Sequence, residues 1–470
     1  MVDRVIYELY GEKGLAAIKK TGYKVIIKVN LVAPSSGLRD EKGRSIITDP
    51  RIVRYVAEKV REIIGFDGNA DLKVVDAVFS KDPNPSAKWN LGSFHWARLE
   101  RTGDNLVNPE DFCYDYNADG ILDGKSKATL VNLDSIGEEG RIQYEVKLAN
   151  GRIVKVAFPK MFRTSEQAHG SNEYCDVLIS IPVLKSHGLV GMTGTIKLHY
   201  GIRSLYGVYE DLGRFGHDGL YYDETGVHNK HYLYDCLCAQ HLIHPNDLII
   251  MDCLTGNRTG PTLPVASIGY SEYSDTPADY ILTNAIMAST DSVAIDTVAT
   301  ALAGYQQESI KLLDVAAQNG LGTNDPSRIL LTGYSNFKVH RQSLYDKYHP
   351  QDKYPFMDGW GGAKVLDSVD APYEVRVSNS HPRKSKDGLY YIDYEVVPLS
   401  EDAKVTLSRV ELIVNQKVIK YYTGGNLFKG QFIIDTKELD NIYNGSFSCV
   451  IGAWDNIFNF NHSIEMILVP

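Results

Sequence analysis

Four basic side chains, Lys185, His187, Lys197 and His199, fall within fifteen residues of a stretch that also carries Gly188, Gly191, Gly194 and Gly201. A packed core segment has little use for four bases and four glycines. A ligand site does, because glycine lets backbone approach a bound group closely. An imidazole titrates near neutrality and can serve as general base or metal ligand, the role expected of His187. Lys185 and Lys197 can hold a carboxylate or another anion. Lys197 is also a candidate for covalent attachment, since a desolvated lysine becomes nucleophilic. Singly, each residue has a plainer reading as hydrogen-bonded structure; the clustering carries the expectation of a site.

The elements around this cluster have to place it. Residues 177–181 are strong strand formers broken only by Ser180, and Pro182, which has no N–H to donate, ends the ladder. The bases therefore follow the carboxyl end of a strand. The pattern recurs. The run KVIIKV at 24–29 ends in Lys28 and Asn30, residues 248–251 lead into Asp252, and residues 280–287 lead to Ser289-Thr290-Asp291. In an open parallel sheet such ends converge on one crevice. The expected catalytic set is His187, Lys197, Lys185 and Asp291. The expected ligand-binding set is Lys28, Asn30, Thr193, Asp252 and His199. Asp291 and Asp296 also have a bland reading, as cap and decoration of the helix that begins at Ser292.

Strand 24–29, a helix opened by Thr48-Asp49-Pro50 with Val53, Val56, Ala57, Val60 and Ile63 at helical spacing, and strand 72–78 make a strand–helix–strand unit. The fold class expected is α/β, a mostly parallel sheet with helices on both faces and a β-rich insertion, followed by a C-terminal all-β sandwich. Further helices are expected over 5–20, 232–244, from 292 and over 309–318, and a last short strand over 329–331. The α/β domain spans 1–345 and its insertion 80–164, where 143–147 and 153–156 alternate as a hairpin around Asn150-Gly151. Residues 346–370 form a Pro- and Gly-rich linker. Residues 371–470 hold seven candidate strands with period-two alternation and no helical pattern, the mark of an immunoglobulin- or fibronectin-like sandwich.

Within the insertion, Asp115, Asn117, Asp119, Gly120 and Asp123 stand at calcium-loop spacing, with the carbonyl of Ile121 as a fifth ligand. Ser126 occupies the position where the usual glutamate would stand. An ion here would be structural Ca2+; the alternative is an Asx-rich turn without one.

With 470 residues, two or three domains are expected, and 43% hydrophobic against 23% charged residues is a globular balance. A net charge of −10 argues against nucleic acid or anionic lipid as the main partner. No apolar run approaches the roughly 20 residues of a membrane span. The N-terminal residues lack the basic-then-apolar pattern of a signal peptide. The six cysteines form no CxxC pair, so a zinc ribbon or ferredoxin cluster has no support, and Cys236 and Cys238 read as buried thiols. Tyrosine, at 30 residues against 14 phenylalanines, suits polar surfaces and carbohydrate-like or peptide ligands.

The segments KVIIKVNLV, ITDPRIVRYVAEKV, CDVLISIPVLKSHGLVGMTGTIKLHYG, DLIIMDCLTGNRTGP and ASTDSVAIDTVATALAG resemble, in order, the motifs of the domain-of-unknown-function 362 family. They span residues 24–304 apart from the insertion, and keep its elements Lys185-Ser-His187 and Thr193-Gly-Thr-Ile-Lys197. Family members tend to have asparagine after that lysine; here Leu198 stands there, so any such role is lost or moved to His199. The resemblance locates a site without defining an activity. A more distant similarity links the His187-x9-Lys197 spacing to the nickel-pincer lactate racemase family, where it implies a histidine for proton transfer and a lysine that tethers the cofactor. The double glycine usual before that lysine is replaced by Gly194-Thr-Ile.

Together these readings lead to an extracytoplasmic, metal-assisted enzyme acting on a small anionic or sugar-derived substrate, with a transition metal beside His187 as a further cofactor. The calcium loop and the sandwich favour an exported chain whose leader has been removed over a cytoplasmic one. The rival reading is a non-catalytic secreted ligand- or metal-binding protein whose sandwich docks it to a protein or carbohydrate partner.

Overall fold

The computed structural model describes residues 1–18, 24–31, 47–66, 70–77, 120–202, 230–257, 280–333, 362–382, 384–415, 417–435 and 447–468, with short pieces between 337 and 344 and at 437. The chain divides into two compact units. One comprises Met1–Thr300, Glu308–Gly322 and Lys353–Val365; the other comprises Ala301–Gln307, Thr323–Asp352 and Leu366–Pro470.

The first unit opens with helix α1, Val2–Tyr10, which passes into a 3-10 stretch at Gly11–Ile18, so the single helix expected over 5–20 is broken near Gly11. Then follow β1, Lys24–Val29, α2, Pro50–Ile64, and β2, Asp71–Asp76. Asp49 caps α2 by accepting the Arg51 N–H, Pro50 takes the first turn and Gly65 closes the helix. Val53, Val56 and Val60 of α2 pack with Val25, Ile27 and Val29 of β1, every second residue of the strand, in one buried cluster.

Next come β3, Thr129–Asn132, and the hairpin β4, Arg141–Lys147, with β5, Ile153–Pro159. β3 pairs in parallel with β2, so it belongs to the main sheet. The insertion read over 80–164 therefore contains a sheet strand, whose four residues are too few to show a period. After β6, Val177–Ile181, the chain passes Pro182 and resumes as β7, Val183–His187, then β8, Gly191–Thr193, and α3, Thr195–Leu198. The first unit continues with α4, Lys230–Ile243, β9, Leu248–Asn257, β10, Tyr280–Ser289, α5, Ser292–Leu302, and α6, Lys311–Gln318.

The strand order is β3-β2-β1-β6-β9-β7-β8, with β10 also on β9. β1, β2, β3, β6, β7 and β9 pair in parallel, while β8 and β10 run antiparallel to β7 and β9. The sheet is thus mostly parallel, in an α/β unit. Pro182 interrupts the strand without ending it, because its carbonyl still accepts the Asp252 N–H at 2.8 Å. Below the proline, β6 lies between β1 and β9; above it, β7 lies between β8 and β9. β8 thus takes the edge that β1 has vacated, and this brings the basic stretch over the carboxyl end of β1. Asp252 lies in mid-strand, not at a strand end, since antiparallel pairing with β10 carries β9 on to Asn257.

Beyond residue 372 the second unit is built on two β-sheets. One sheet orders β11, Tyr373–Val377, β12, Leu389–Pro398, and β15, Lys429–Asp435. The other orders β14, Lys417–Tyr422, β13, Leu407–Val414, β16, Phe447–Asp455, and β17, Phe460–His462, with β18, Met466–Leu468, also on β16. Alternate residues of both sheets, such as Tyr390, Ile392 and Phe432 against Leu412, Ile451 and Met466, share one buried core. The strand expected over 329–331 is absent: Ile329 follows a 3-10 turn, and its carbonyl is taken by the buried Arg409 guanidinium.

Candidate functional site

Lys28, one residue before the end of β1, has no exposed surface. Its Nζ donates to Asp76 Oδ1 at 2.5 Å and to the Val29 carbonyl at 2.7 Å. Asp76 arrives there because β2 pairs in parallel register with β1, Val75 beside Lys28, and ends one residue later. Asp76 Oδ1 also accepts the Ala77 N–H at 2.9 Å, and Oδ2 accepts the Leu31 N–H. Burial pulls the Lys28 ammonium down and the Asp76 carboxyl up, and each opposes the shift in the other. Gly201 lies against this pair. A Cβ there would collide with Asp76 Oδ1 and stand 3.0 Å from Lys28 Nζ, so the close approach requires glycine.

Lys185 projects from β7 opposite Thr193 and is fully buried, its Nζ 3.4 Å from Asn30 Oδ1. Burial pushes it down to about 7, with Asp76 and Asp252 acting the other way. Lys197 lies in α3, its Nζ 4.0 Å from the centre of the Tyr200 ring. Burial also pushes Lys197 down to about 7, helped by Lys185 and Lys28 and opposed by Asp76.

α3 is only four residues long and is tied down from outside. Asp296 of α5 accepts the Thr195 N–H at 2.7 Å and the Ile196 N–H at 2.9 Å. A Cβ on Gly194 would run into that carboxylate. Burial pushes Asp296 up to about 6, with the two N–H groups opposing. Asp296, read from sequence as helix decoration, thus positions the segment that carries Lys197.

The other expected residues sort differently. His187 is buried, and its Nδ1 accepts the Leu189 N–H at 3.1 Å, which puts the ring proton of the neutral form on Nε2. The general-base role expected for it needs the other tautomer; as placed, the ring is a hydrogen-bond donor. The Thr193 hydroxyl is spent on the Val183 and Lys185 carbonyls, at 3.1 and 3.2 Å, pinning β8 to β7. Asp252 accepts the Asp49 N–H at 2.8 Å and the Leu254 N–H at 3.0 Å, fixing the start of α2. Asp291 accepts the N–H groups of Val293 and Ala294, at 2.9 and 2.8 Å, and is the N-cap of α5, its plainer reading.

His199 belongs to a second cluster. Its Nε2 donates to Asn246 Oδ1 at 3.2 Å, and its ring stacks on His241 at 3.5 Å between centres. His199 Nδ1, also buried, has no hydrogen-bond partner among the described residues. Burial, and then the neighbouring His241, holds His199 well below the usual imidazole range; burial also pushes His241 down to about 4.

The structure therefore brings together Lys28, Asn30, Lys185 and Lys197, and adds Asp76, which the sequence reading passed over inside strand 72–78. Its signal was a carboxylate closing the apolar pair Val74-Val75 in the strand next to the one carrying Lys28. Three buried lysines face Asp76, with Asp252 near enough to act on Lys185. Uncompensated buried charge is costly, so such a cluster favours neutral amines or a bound anion.

Asp115, Asn117 and Asp119 lie outside the described residues. Gly120 has a left-handed φ of 82°, Ile121 is exposed, and the Asp123 carbonyl accepts the Ser126 hydroxyl. Among the described residues no group of three His, Cys, Asp or Glu side chains converges that could hold a metal ion. The lysine-rich surroundings of Lys185 suit an anion. No helix among the described residues is long and apolar enough to cross a membrane. The thiols of Cys175, Cys236, Cys238, Cys253 and Cys449 are buried, and no disulfide joins them.

A family model described as Domain of unknown function (DUF362) matches residues 125–301. The match takes in the 175–203 stretch, β9 and nearly all of α5, and leaves β1, α2 and β2 outside. No curated protein is matched. Among solved structures, the chain is similar to the lactate racemase apoprotein from Thermoanaerobacterium thermosaccharolyticum, at 12% identity over 63% of this chain and 52% of that one, with a TM-score of 0.33. It is also similar to fibronectin(III)-like modules of CbhA from Clostridium thermocellum, at 12% identity over 23% of this chain and 52% of that one, with a TM-score of 0.17. The spore cortex lytic enzyme SleM from Clostridium perfringens is similar at 14% identity over 38% of this chain and 76% of that one, with a TM-score of 0.17. The chain spans about half the length of the first two.

Proposed function

We propose that the first unit is an enzyme domain that binds a small anionic substrate, such as a carboxylate or an acidic sugar derivative, at the carboxyl ends of β1 and β2. The observation that carries this reading is the burial of Lys28, Lys185 and Lys197 around Asp76. An anion entering the cluster supplies the missing negative charge and lets Lys185 and Lys197 ionise together. Lys185 is the anion-binding group, with Asn30 orienting it. His187, neutral and with its proton on Nε2, is a donor suited to polarising a substrate oxygen. Calcium on the 115–123 loop and an extracytoplasmic setting remain part of the proposal, and elemental analysis of the purified protein tests the first.

The reading is tested by following the melting temperature during titration with malonate, lactate, glucuronate and inorganic phosphate, with chloride and glucose as controls. At least one of the four should raise it saturably, and Lys185→Met should lose at least tenfold in that affinity. A response to every anion that matches chloride, or an unchanged affinity in Lys185→Met, would refute it. A protein that binds but turns over none of its ligands would be a binding protein, the rival reading.

A further inference from the structure

We propose that the sandwich carries a second small-molecule site, a cavity on the sheet formed by β13, β16, β17 and β18 that takes an aliphatic organic cation with N–H donors, an alkylguanidinium or a primary alkylammonium. The site lies wholly within the second unit and is independent of the anion site proposed above.

The cavity, of about 460 Å3, lies where one edge of β16 is shared between two short strands. β17 pairs with β16 over Gly452–Trp454, and β18 pairs with it over Phe447–Cys449. Between them Ser463 takes the place of a paired strand. Its hydroxyl accepts the Ile451 N–H at 3.0 Å, and its own N–H donates to the Ile451 carbonyl at 2.8 Å. Phe447, Cys449 and Ile451 belong to the sandwich core, so the residues between them, Ser448 and Val450, face outward. The same alternation on β13 turns Ile413 outward, directly beside Val450 in register. Ile413 and Val450 give the cavity an apolar floor.

The polar residues that line it are rich in acceptors. Asn415 Oδ1 accepts the Ser448 N–H at 3.1 Å, which leaves its NH2 as a donor. The Ser448 hydroxyl donates to Glu465 Oε1, so the Ser448 lone pairs and Glu465 Oε2 are left as acceptors. His462 Nδ1 lies 2.7 Å from the Ser463 carbonyl, which can only accept. Nδ1 therefore carries the proton of the neutral ring, and Nε2 is a further acceptor. Asn415, His462 and Glu465 are exposed, so the cavity opens to solvent. Among the described residues no ion pair engages Glu465.

This balance selects the ligand. Acceptors outnumber donors, and one acceptor bears a full negative charge. An anion would meet Glu465, and a sugar, whose hydroxyls both give and accept, would find too few donors. A guanidinium or ammonium group brings only N–H donors and the matching charge, while its alkyl stem covers Ile413 and Val450.

The test is isothermal titration calorimetry of the full chain with agmatine and 1,5-diaminopentane, with tetramethylammonium, glucose and zinc chloride as controls. At least one of the two amines should bind saturably at one per chain, more weakly as NaCl rises. Glu465→Gln should lower that affinity by about tenfold or more. Glu465 is exposed and glutamine keeps its shape, so this variant separates binding from folding, and the salt dependence of the wild type decides independently of any variant. Binding of neither amine, or unchanged affinity in Glu465→Gln, overturns the proposal. So does an equal response to tetramethylammonium, which has the charge but no N–H donor. Glucose or zinc binding in preference to both amines also overturns it, in favour of a sugar or a metal site. None of these outcomes touches the anion site, which is read with anions and with Lys185→Met.

Discussion

Replacing Asp76 by asparagine removes one negative charge from the centre of the lysine cluster and almost no volume. The carboxylate receives Lys28 Nζ and the Ala77 N–H on one oxygen and the Leu31 N–H on the other. An amide has one acceptor oxygen, so whichever way the new side chain turns, its NH2 faces a donor, and a fully buried ammonium loses its counter-ion. Breaking a buried pair from one side costs about 3–5 kcal/mol. The first unit has roughly 330 residues, and at about 2.1 cal/mol/K per residue this lowers its melting temperature by roughly 4–7 °C. Thermal unfolding followed by circular dichroism measures the shift. Lys28→Met in the Asp76→Asn background should recover part of the loss, since two neutral side chains leave no orphaned charge. A single variant melting within about a degree of wild type would refute the reasoning, as would a double variant no more stable than the single.

Two further outcomes follow from groups beside the cluster. His241 is held neutral in the fold, its pKa down to about 4, so the unfolded chain takes up its proton first as pH falls. Its contribution is complete above about pH 6.5 and is lost on acidification, by up to roughly 3 kcal/mol near pH 4. Asp296, pushed up to about 6, works in the opposite sense, gaining stability as it protonates. The difference in melting temperature between wild type and His241→Gln, measured from pH 7 to pH 4.5, isolates the histidine and should shrink steadily; a constant difference contradicts its burial as a neutral ring. For Asp291→Ala, loss of the α5 cap should lower stability by about 1 kcal/mol in urea denaturation, and an unchanged midpoint would show that the carboxylate does not cap.

Much of the fold could be read because local pattern and global arrangement agree. The apolar run of β1, the Asp49-Pro50 start and Gly65 stop of α2, and the period-two strands after residue 372 each announce themselves within a few residues. What could not be read depends on partners distant in sequence. β3 is four residues long and becomes a sheet strand only because β2 lies beside it. β10 looks like any buried strand, and nothing in its composition says that it runs antiparallel to β9. Pro182 reads as a terminus because the missing donor is local, while the carbonyl that keeps the ladder going meets Asp252, seventy residues on.

The site divides along the same line. Lys185, His187 and Lys197 are legible because bases are conspicuous among glycines. Asp76 is not, for a carboxylate at a strand end resembles any turn residue until parallel register sets it against Lys28. The distinction bears on chemistry, because the charge on each lysine is decided by groups that local spacing does not reveal. Lys185 and Lys197 look equivalent in the sequence. In the fold, Asp76 and Asp252 act on the first, while Lys185 and Lys28 as well as Asp76 act on the second, whose helical turn Asp296 fixes. A cluster of like residues becomes a site with separate roles only when their counter-charges are unequally shared, and that inequality arises from pairing between segments far apart in the chain.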